Sequence, residues 1–420
     1  VRLTVVGGAS TYTPELVDGF ARLGGLLPLQ ELVLVDPATE RLEVVGGLAR
    51  RILARQGHPA TLTLTDDLDA GVADADAVLL QLRVGGQQAR QGDESWPLEC
   101  GCVGQETTGA GGLAKALRTV PVVLDIADRV RRANPDAWII DFTNPVGIVT
   151  RALLQEGHQA LGLCNVAIGF QRRFAAWLGV EPDAVRLDHV GLNHLTWERA
   201  VRVDGEDVLP RLLAGHGEEI AGDIELPVGL VRRLGVVPSY YLRYFYAHDE
   251  VVREQLTRPS RAAEVAEIER RLLEMYADPT LDEKPALLGE RGGAYYSEAA
   301  VALTAALLGD GSATDSVHVV NTYNRGTLPF LPDDAVIEVP AQVARDGARP
   351  VALEPLQPLF AGLVAAVTSY EHLALDAAVR GGRERVFDAL LAHPLVGQIE
   401  LANGLTDRLI AHNRDHLAWA

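Results

Sequence analysis

The chain has 420 residues, 48% of them hydrophobic and 23% charged, which excludes wholesale disorder and leaves enough apolar chain for a large core. Its 38 Lys and Arg against 57 Asp and Glu give a net charge of −19, which argues against the basic face that nucleic-acid phosphates require. A few local arginines can still hold one small anionic ligand. The length predicts about two to three domains. Three cysteines, Cys100, Cys102 and Cys164, are too few for a disulfide framework and predict a reducing compartment. No apolar run approaches the ~18 residues of a membrane span. The chain opens directly on a strand-like segment with no signal-peptide pattern, and a cytoplasmic protein is expected.

In chain order, Arg2 to Gly7 is a short apolar strand closed by glycines, and Pro14 to Leu23 is helical with Pro14 in its first turn. Glu31 to Asp36 is a second buried strand, followed by a helix from Thr39 to Gly57. Thr61–Thr65, Ala77–Gln81 and Trp138–Phe142 continue the series. Strands separated by helix-length segments predict an α/β fold with an N-terminal Rossmann-like, doubly wound parallel sheet. Beyond residue 170 the pattern changes to a mixed α+β domain. Val185–Leu192, Val317–Thr322 and Ala335–Val343 read as strands, and Ser260–Tyr276 and Pro355–Val379 as helices. The expected division is therefore 1–170, binding a dinucleotide, and 171–420, carrying the substrate and metal site and subunit contacts.

Gly7 and Gly8, with Ser10 and Thr11 behind them, join the first strand to the first helix. Glycines there let the backbone approach a pyrophosphate at a helix N-terminus, although an ordinary strand-to-helix turn has the same composition. Asp36 ends the second strand 28 residues after Gly8, where a carboxylate can bond both ribose hydroxyls; together they point to NAD. Arg83 to Gly112 has few periodic apolar positions and reads as a long loop, functional or merely solvated. Asn144 follows a strand end before Pro145, suited to a turn or to a sugar hydroxyl. Cys164 and His194 also follow strand patterns, 30 residues apart. A thiolate and an imidazole suit a borderline divalent ion, but either residue alone is commonly structural.

Seven motifs in order make the chain resemble glycoside hydrolase family 4, the NAD- and divalent-metal-dependent glycosidases, over nearly its whole length. They are Gly7-Gly-Ala-Ser-Thr-Tyr-Thr-Pro-Glu-Leu16, Gly104-Gln-Glu-Thr-Thr-Gly109, Thr143-Asn-Pro145, Leu163-Cys-Asn-Val166, Gly191-Leu-Asn-His194, Tyr240-Tyr-Leu-Arg-Tyr244 and Arg291-Gly-Gly293. Members with Asn after the cysteine are similar to 6-phospho-β-glucosidases, and Asn165 stands there, although the usual Val-Pro continuation is Val166-Ala167 here. The resemblance implies Cys164 and His194 as metal ligands, with Mn²⁺ the expected ion, and Tyr241 as catalytic base. It implies Arg90, Asn144, Asn165 and Arg261 as substrate contacts, Arg261 holding the 6-phosphate. It also implies a homodimer or homotetramer.

The implied route differs from the two-carboxylate glycosidases. NAD⁺ oxidises C3, Tyr241 takes the C2 proton, the aglycone leaves, water adds and the hydride returns. The alternatives are a 6-phospho-α-glucosidase or other member of the family, and an NAD-dependent hydroxy-acid dehydrogenase. The dehydrogenase reading lacks a convincing His–Asp catalytic pair in the sequence.

Overall fold

The apolar runs of the first half form strands buried on both faces, except the edge strand Thr61–Thr65, which is partly exposed and alternates Thr with Leu. In the computed structural model, which describes residues 1–293, 295–309 and 316–420, these are β1 (Arg2–Val6), β2 (Glu31–Val35), β3 (Thr61–Thr65), β4 (Ala77–Leu80), β5 (Trp138–Asp141) and β6 (Ala160–Gly162). All pair in parallel in the order 3-2-1-4-5-6, with helices Thr13–Arg22, Thr39–Arg55 and Gly109–Ala133 among the crossovers. Successive side chains face opposite sides. Val33, Val35, Val78 and Leu80 enter one core cluster, and Leu32, Leu34, Ala77 and Leu79 the other. Burial on both faces removes the polar alternation of a half-exposed strand, so the segments read as continuous apolar runs. The doubly wound sheet is as expected.

The second half extends this sheet. β7 (Val185–Leu192), β8 (Leu195–Val203), β9 (Glu206–Asp207), β10 (Val237–Pro238), β11 (Val317–Tyr323), β12 (Val336–Ala344) and β13 (Gly347–Pro350) are antiparallel. The whole runs 10-8-7-12-11-6-5-4-1-2-3, with β9 on β8 and β13 on β12. Two joints in it are single residue pairs: Asn321 opposite Gly162 joins β11 to β6, and Glu338 opposite Gly191 joins β12 to β7. The sheet crosses residue 170 unbroken, and that residue lies inside the helix Val166–Leu178.

The segment Arg83–Gly112 is more ordered than its sequence suggests. It holds a helix, Gly86–Ser95, a 3₁₀ turn, Trp96–Cys100, and the start of Gly109–Ala133. The short helix buries Asp93 and Glu94 rather than an apolar stripe, and Arg118 and Arg90 pair them, so apolar periodicity misses it.

The helix Pro358–Arg380 is long and apolar enough to cross a membrane by length and composition, which the reading of apolar runs missed. Its Phe360, Val364, Ala374 and Leu375 are buried in the same core as the parallel strands. Cys100, Cys102 and Cys164 are free thiols.

Candidate active site

At the end of β1 the chain turns sharply. Gly7 has φ +90°, and a Cβ there would lie 2.7 Å from the Gln81 carbonyl oxygen, so only glycine fits. The N–H groups of Gly7 and Gly8 both donate to the Val35 carbonyl, at 3.0 and 2.9 Å. Asp36 then accepts from the Ala9 N–H at 3.1 Å and the Ala38 N–H at 2.9 Å. One bond per carboxylate oxygen leaves acceptor capacity for ribose hydroxyls. Gly7, Ser10 and Asp36 line a cavity of about 740 Å³. Gly8 and Thr11 do not. Gly8 packs where a Cβ would meet Leu34 at 2.7 Å, and Thr11 is buried with its hydroxyl bound by Arg291 (2.7 Å) and Glu269 (3.1 Å). Their place is therefore beneath the loop rather than on the wall.

The same cavity is lined by Arg90, Asn144, Asn165, His194 and Tyr241. Cys164 stands two residues beyond β6. His194 is at the tip of the two-residue turn between β7 and β8, at φ +64°. Both are buried. The His194 ring stacks on Tyr241 with centroids 3.6 Å apart and planes within 10°. Tyr241 lies on a 3₁₀ turn, Tyr240–Leu242, docked on β8 where the Ser239 N–H donates to the Thr196 carbonyl at 2.9 Å.

A short chain of bonds sets the tautomer of His194. Gln105 Oε1 accepts the N–H groups of Thr107 and Thr108 and, at 2.8 Å, the Thr107 hydroxyl proton. Thr107 Oγ1 therefore accepts from His194 Nδ1–H at 3.0 Å, leaving Nε2 with a free lone pair. Burial lowers the imidazole to about 4 despite Glu338 and Glu106, so it is neutral. A neutral imidazole and a thiol that both neighbour Tyr241 are a donor set that fits a borderline divalent ion. Among the described residues no group of three or more His, Cys, Asp and Glu side chains is arranged to hold a metal, so further ligands would come from substrate or water. Burial and Glu338 push the Cys164 thiol up, against hydrogen bonds from the Val166 N–H, Asn193 and Tyr296.

Burial also pushes the Tyr241 phenol above its ordinary value, with Cys164, Glu106 and Tyr240 adding and Arg90 opposing. Arg90 Nε lies 2.7 Å from Glu94 and 3.2 Å from Glu106. Glu106 also meets Arg83, and Lys115 at 2.5 Å. Burial alone would raise its carboxyl, but these three cations hold it well below the usual range. Asn144 Oδ1 is buried and has no protein partner, an acceptor available to a sugar hydroxyl on the cavity wall.

Arg261 is not on that wall. It is exposed, 3.0 Å from Glu264, and donates to the Glu290 carbonyl at 2.6 Å. Its helix instead gives the Ala262 N–H to Glu94 Oε2 at 2.7 Å, behind Arg90. The basic groups lining the cavity are Arg41, Arg83, Arg90, Lys115 and Arg291. Sequence reasoning assigned no role to Arg83, Lys115, Glu106 or Thr107. The only pointers were the Gly104–Gly109 motif and the aperiodic segment around it.

A dinucleotide-type turn that shares one cavity with His194 and Tyr241, with Cys164 buried off its wall but close enough to act on the Tyr241 phenol, defines an NAD-type α/β fold. The family model for family 4 glycosyl hydrolases matches residues 2–180, and that for the family's C-terminal domain matches 189–396; the chain belongs to this family. It is 38% identical to the probable 6-phospho-beta-glucosidase of Bacillus subtilis, over 99% of this chain and 97% of the relative. It is 35% identical to the 6-phospho-beta-glucosidase of Escherichia coli, over 99% and 96%. The 6-phospho-beta-glucosidase of Thermotoga maritima, solved with manganese, NAD⁺ and glucose-6-phosphate, superposes with a TM-score of 0.92 at 33% identity, covering 99% of each chain.

Proposed function

We propose that the chain hydrolyses 6-phospho-β-glucosides, using NAD as a recycled cofactor and a divalent metal, Mn²⁺. One observation carries the reading: Gly7, Ser10 and Asp36 share a single cavity with Arg90, Asn144, His194 and Tyr241. The full-length similarity to three 6-phospho-β-glucosidases supports the substrate class. Residues 1–170 are assigned the cofactor, and the sugar and metal site draws on both parts, with Arg90, Asn144, Cys164 and Asn165 from the first and His194 and Tyr241 from 171–420. Free cysteines suit a cytoplasmic location. A homodimer or homotetramer is expected, which light scattering tests.

Cys164 and His194 Nε2 would hold the metal, and Asp36 and the Gly7 turn the dinucleotide. When bound, NAD⁺ removes and returns the hydride at sugar C3, and the divalent ion draws electrons from the oxygens at C2 and C3. The residues do the rest. A C2–H beside a C3 carbonyl is acidic, and Tyr241 is the base assigned to it. A phenol raised by burial acts as a base only beside positive charge, and Arg90 supplies part of that charge. Loss of the C2 proton expels the aglycone from C1; water adds its hydroxyl there, its other proton goes to the aglycone oxygen, and Tyr241 returns its proton to C2. Asn144 Oδ1 orients a sugar hydroxyl.

Arg83, Arg90 and Lys115 outnumber Glu94 and Glu106 by one charge, which suits an anionic sugar. For Arg261 to reach the phosphate, its guanidinium has to leave Glu264 and Glu290.

The test is turnover of p-nitrophenyl 6-phospho-β-glucoside with NAD⁺, Mn²⁺ and a reductant. The α anomer, the unphosphorylated glucoside and a hydroxy acid run in parallel. Preference for the phosphorylated β anomer without net NADH supports the reading. Preference for the α anomer or the unphosphorylated sugar, or stoichiometric NADH, overturns it.

A further inference from the structure

Behind Cys164 and His194 lies a buried charged chain that the proposed reaction does not use. His189 on β7 is flanked by Glu198 on β8, Nδ1 to Oε1 2.6 Å, and Glu338 on β12, Nε2 to Oε1 3.0 Å. Their side chains are 0%, 0% and 1% exposed. Burial opposes a charge on His189, but the two carboxylates outweigh it and raise the imidazole to about 10. The group is therefore two carboxylates and one imidazolium, with a net charge of −1. Three buried charges carry a large desolvation cost and are weak devices for stability alone.

Their position gives them a second use. The remaining oxygen of Glu338, Oε2, accepts from Asn193 Nδ2 at 2.8 Å and Asn321 Nδ2 at 2.9 Å. Asn193 precedes His194 in the hairpin turn. Asn321 sits opposite Gly162, two residues before Cys164, and Glu338 itself sits opposite Gly191, three before His194. These are the two single-pair joints of the sheet: β11 to β6, where the antiparallel strands meet the parallel ones, and β12 to β7 within the antiparallel half. The approach at the first joint is tight, since a Cβ on Gly162 would lie 2.8 Å from the Asn321 Cβ; Gly191 is closed in from its own hairpin, where a Cβ would lie 2.0 Å from the Leu195 carbonyl oxygen. One carboxylate thus ties together the strand ends that present the thiol and the imidazole.

We propose that Glu338 is a positioning residue. Through Asn193 and Asn321 it fixes the ends carrying Cys164 and His194, and it sets a buried negative charge behind them that favours a divalent cation. The inference rests on the reading of Cys164 and His194 as the metal pair.

The test is Mn²⁺ affinity, from the electron paramagnetic resonance of free Mn²⁺ titrated into protein with NAD⁺ and glucose 6-phosphate. NAD⁺ affinity is measured separately by fluorescence. Glu338→Gln keeps the shape and removes the charge, and should weaken Mn²⁺ binding about ten- to a hundredfold with NAD⁺ affinity unchanged. His189→Gln with Glu198→Gln removes one charge of each sign, leaves Glu338 ionised, and should bind Mn²⁺ near the wild-type level. Wild-type Mn²⁺ affinity in E338Q, or an equal loss in the double variant, overturns the proposal.

Cys164→Ser and His194→Ala separate the two readings. If they lose Mn²⁺ while E338Q keeps it, only the role of Glu338 fails; if they keep it, the metal pair fails as well. Should E338Q not fold, Asn193→Ala at the hairpin turn carries the test, and wild-type affinity there also overturns the proposal.

Discussion

The imidazole of His194 lies flat on the phenol ring of Tyr241, centroids 3.6 Å apart and planes within 10°. The proposed metal ligand and the proposed base are thus one packed unit, and moving either ring moves the other. Tyr241→Phe keeps the stack and removes only the oxygen. It should fold and bind NAD⁺ normally and lose turnover by about 10²-fold or more, the usual contribution of a general base. Reaction of the wild type in D₂O should place deuterium at C2 of the released sugar phosphate. An active Phe variant would show that the hydroxyl is incidental.

Cys164 is a thiol whose burial and whose neighbour Glu338 both disfavour ionisation. Only a bound cation makes the thiolate favourable there. Chelation with EDTA should abolish turnover, and Mn²⁺ should restore it. Cys164→Ser should lose Mn²⁺-dependent activity while keeping NAD⁺ affinity. A serine variant fully active in EDTA contradicts the role.

Thr107 is the residue through which the Gly104–Gly109 motif reaches His194. Thr107→Val keeps the volume, removes the acceptor for Nδ1–H and leaves that group buried without a partner. Mn²⁺ affinity should fall about tenfold or more, as for other partners of ligating histidines. Thr107→Ser, which retains the hydroxyl, should recover it. Equal affinity in the Val variant would mean that the tautomer is set elsewhere.

The inner parallel strands were legible in the sequence because two-sided burial makes them largely apolar runs, and the edge strand Thr61–Thr65 because it alternates Thr with Leu. The turn after β1 was legible because φ +90° at Gly7 admits little else. The convergence of Cys164 and His194 was not legible from spacing. It depends on Glu338, 145 residues beyond Asn193, closing two joints that are each one residue pair wide. The motifs named the pair but carry no trace of what holds it. The helix Gly86–Ser95 hid for a related reason: its buried side are carboxylates, each satisfied by an arginine. Arg261 matched a motif, but motif position does not fix where a long side chain at a helix start points, and here it points to Glu264 and Glu290.

Gly7→Ala puts a methyl group 2.7 Å from the Gln81 carbonyl oxygen, at a φ that L-residues rarely adopt. The variant should lose roughly 1–3 kcal/mol of stability. Its NAD⁺ affinity should fall more than its Mn²⁺ affinity, because the strain falls on the turn that leads to Ser10 and Asp36. Thermal melting and two binding titrations read this out. Equal losses for both ligands would mean that the damage spreads through the fold.

His189 gives the chain a pH dependence of definite sign. Its folded value is raised to about 10 by Glu198 and Glu338, after their attraction overcomes burial, and an unfolded histidine sits near 6.5. Between those values the folded state holds a proton that the unfolded state has released. The stabilisation is therefore complete below pH 6.5 and disappears as the pH rises through 10. The charge-neutral double variant, His189→Gln with Glu198→Gln, lacks this titration. Relative to it, the wild type should lose on the order of 4 kcal/mol of stability between pH 6.5 and 10. Denaturant melts of both proteins at pH 6.5, 8 and 9.5 measure the difference directly. A gap between them that stays constant across the range would mean that His189 is not an imidazolium in the folded protein, and the buried charge behind Cys164 and His194 would then be −2 rather than −1.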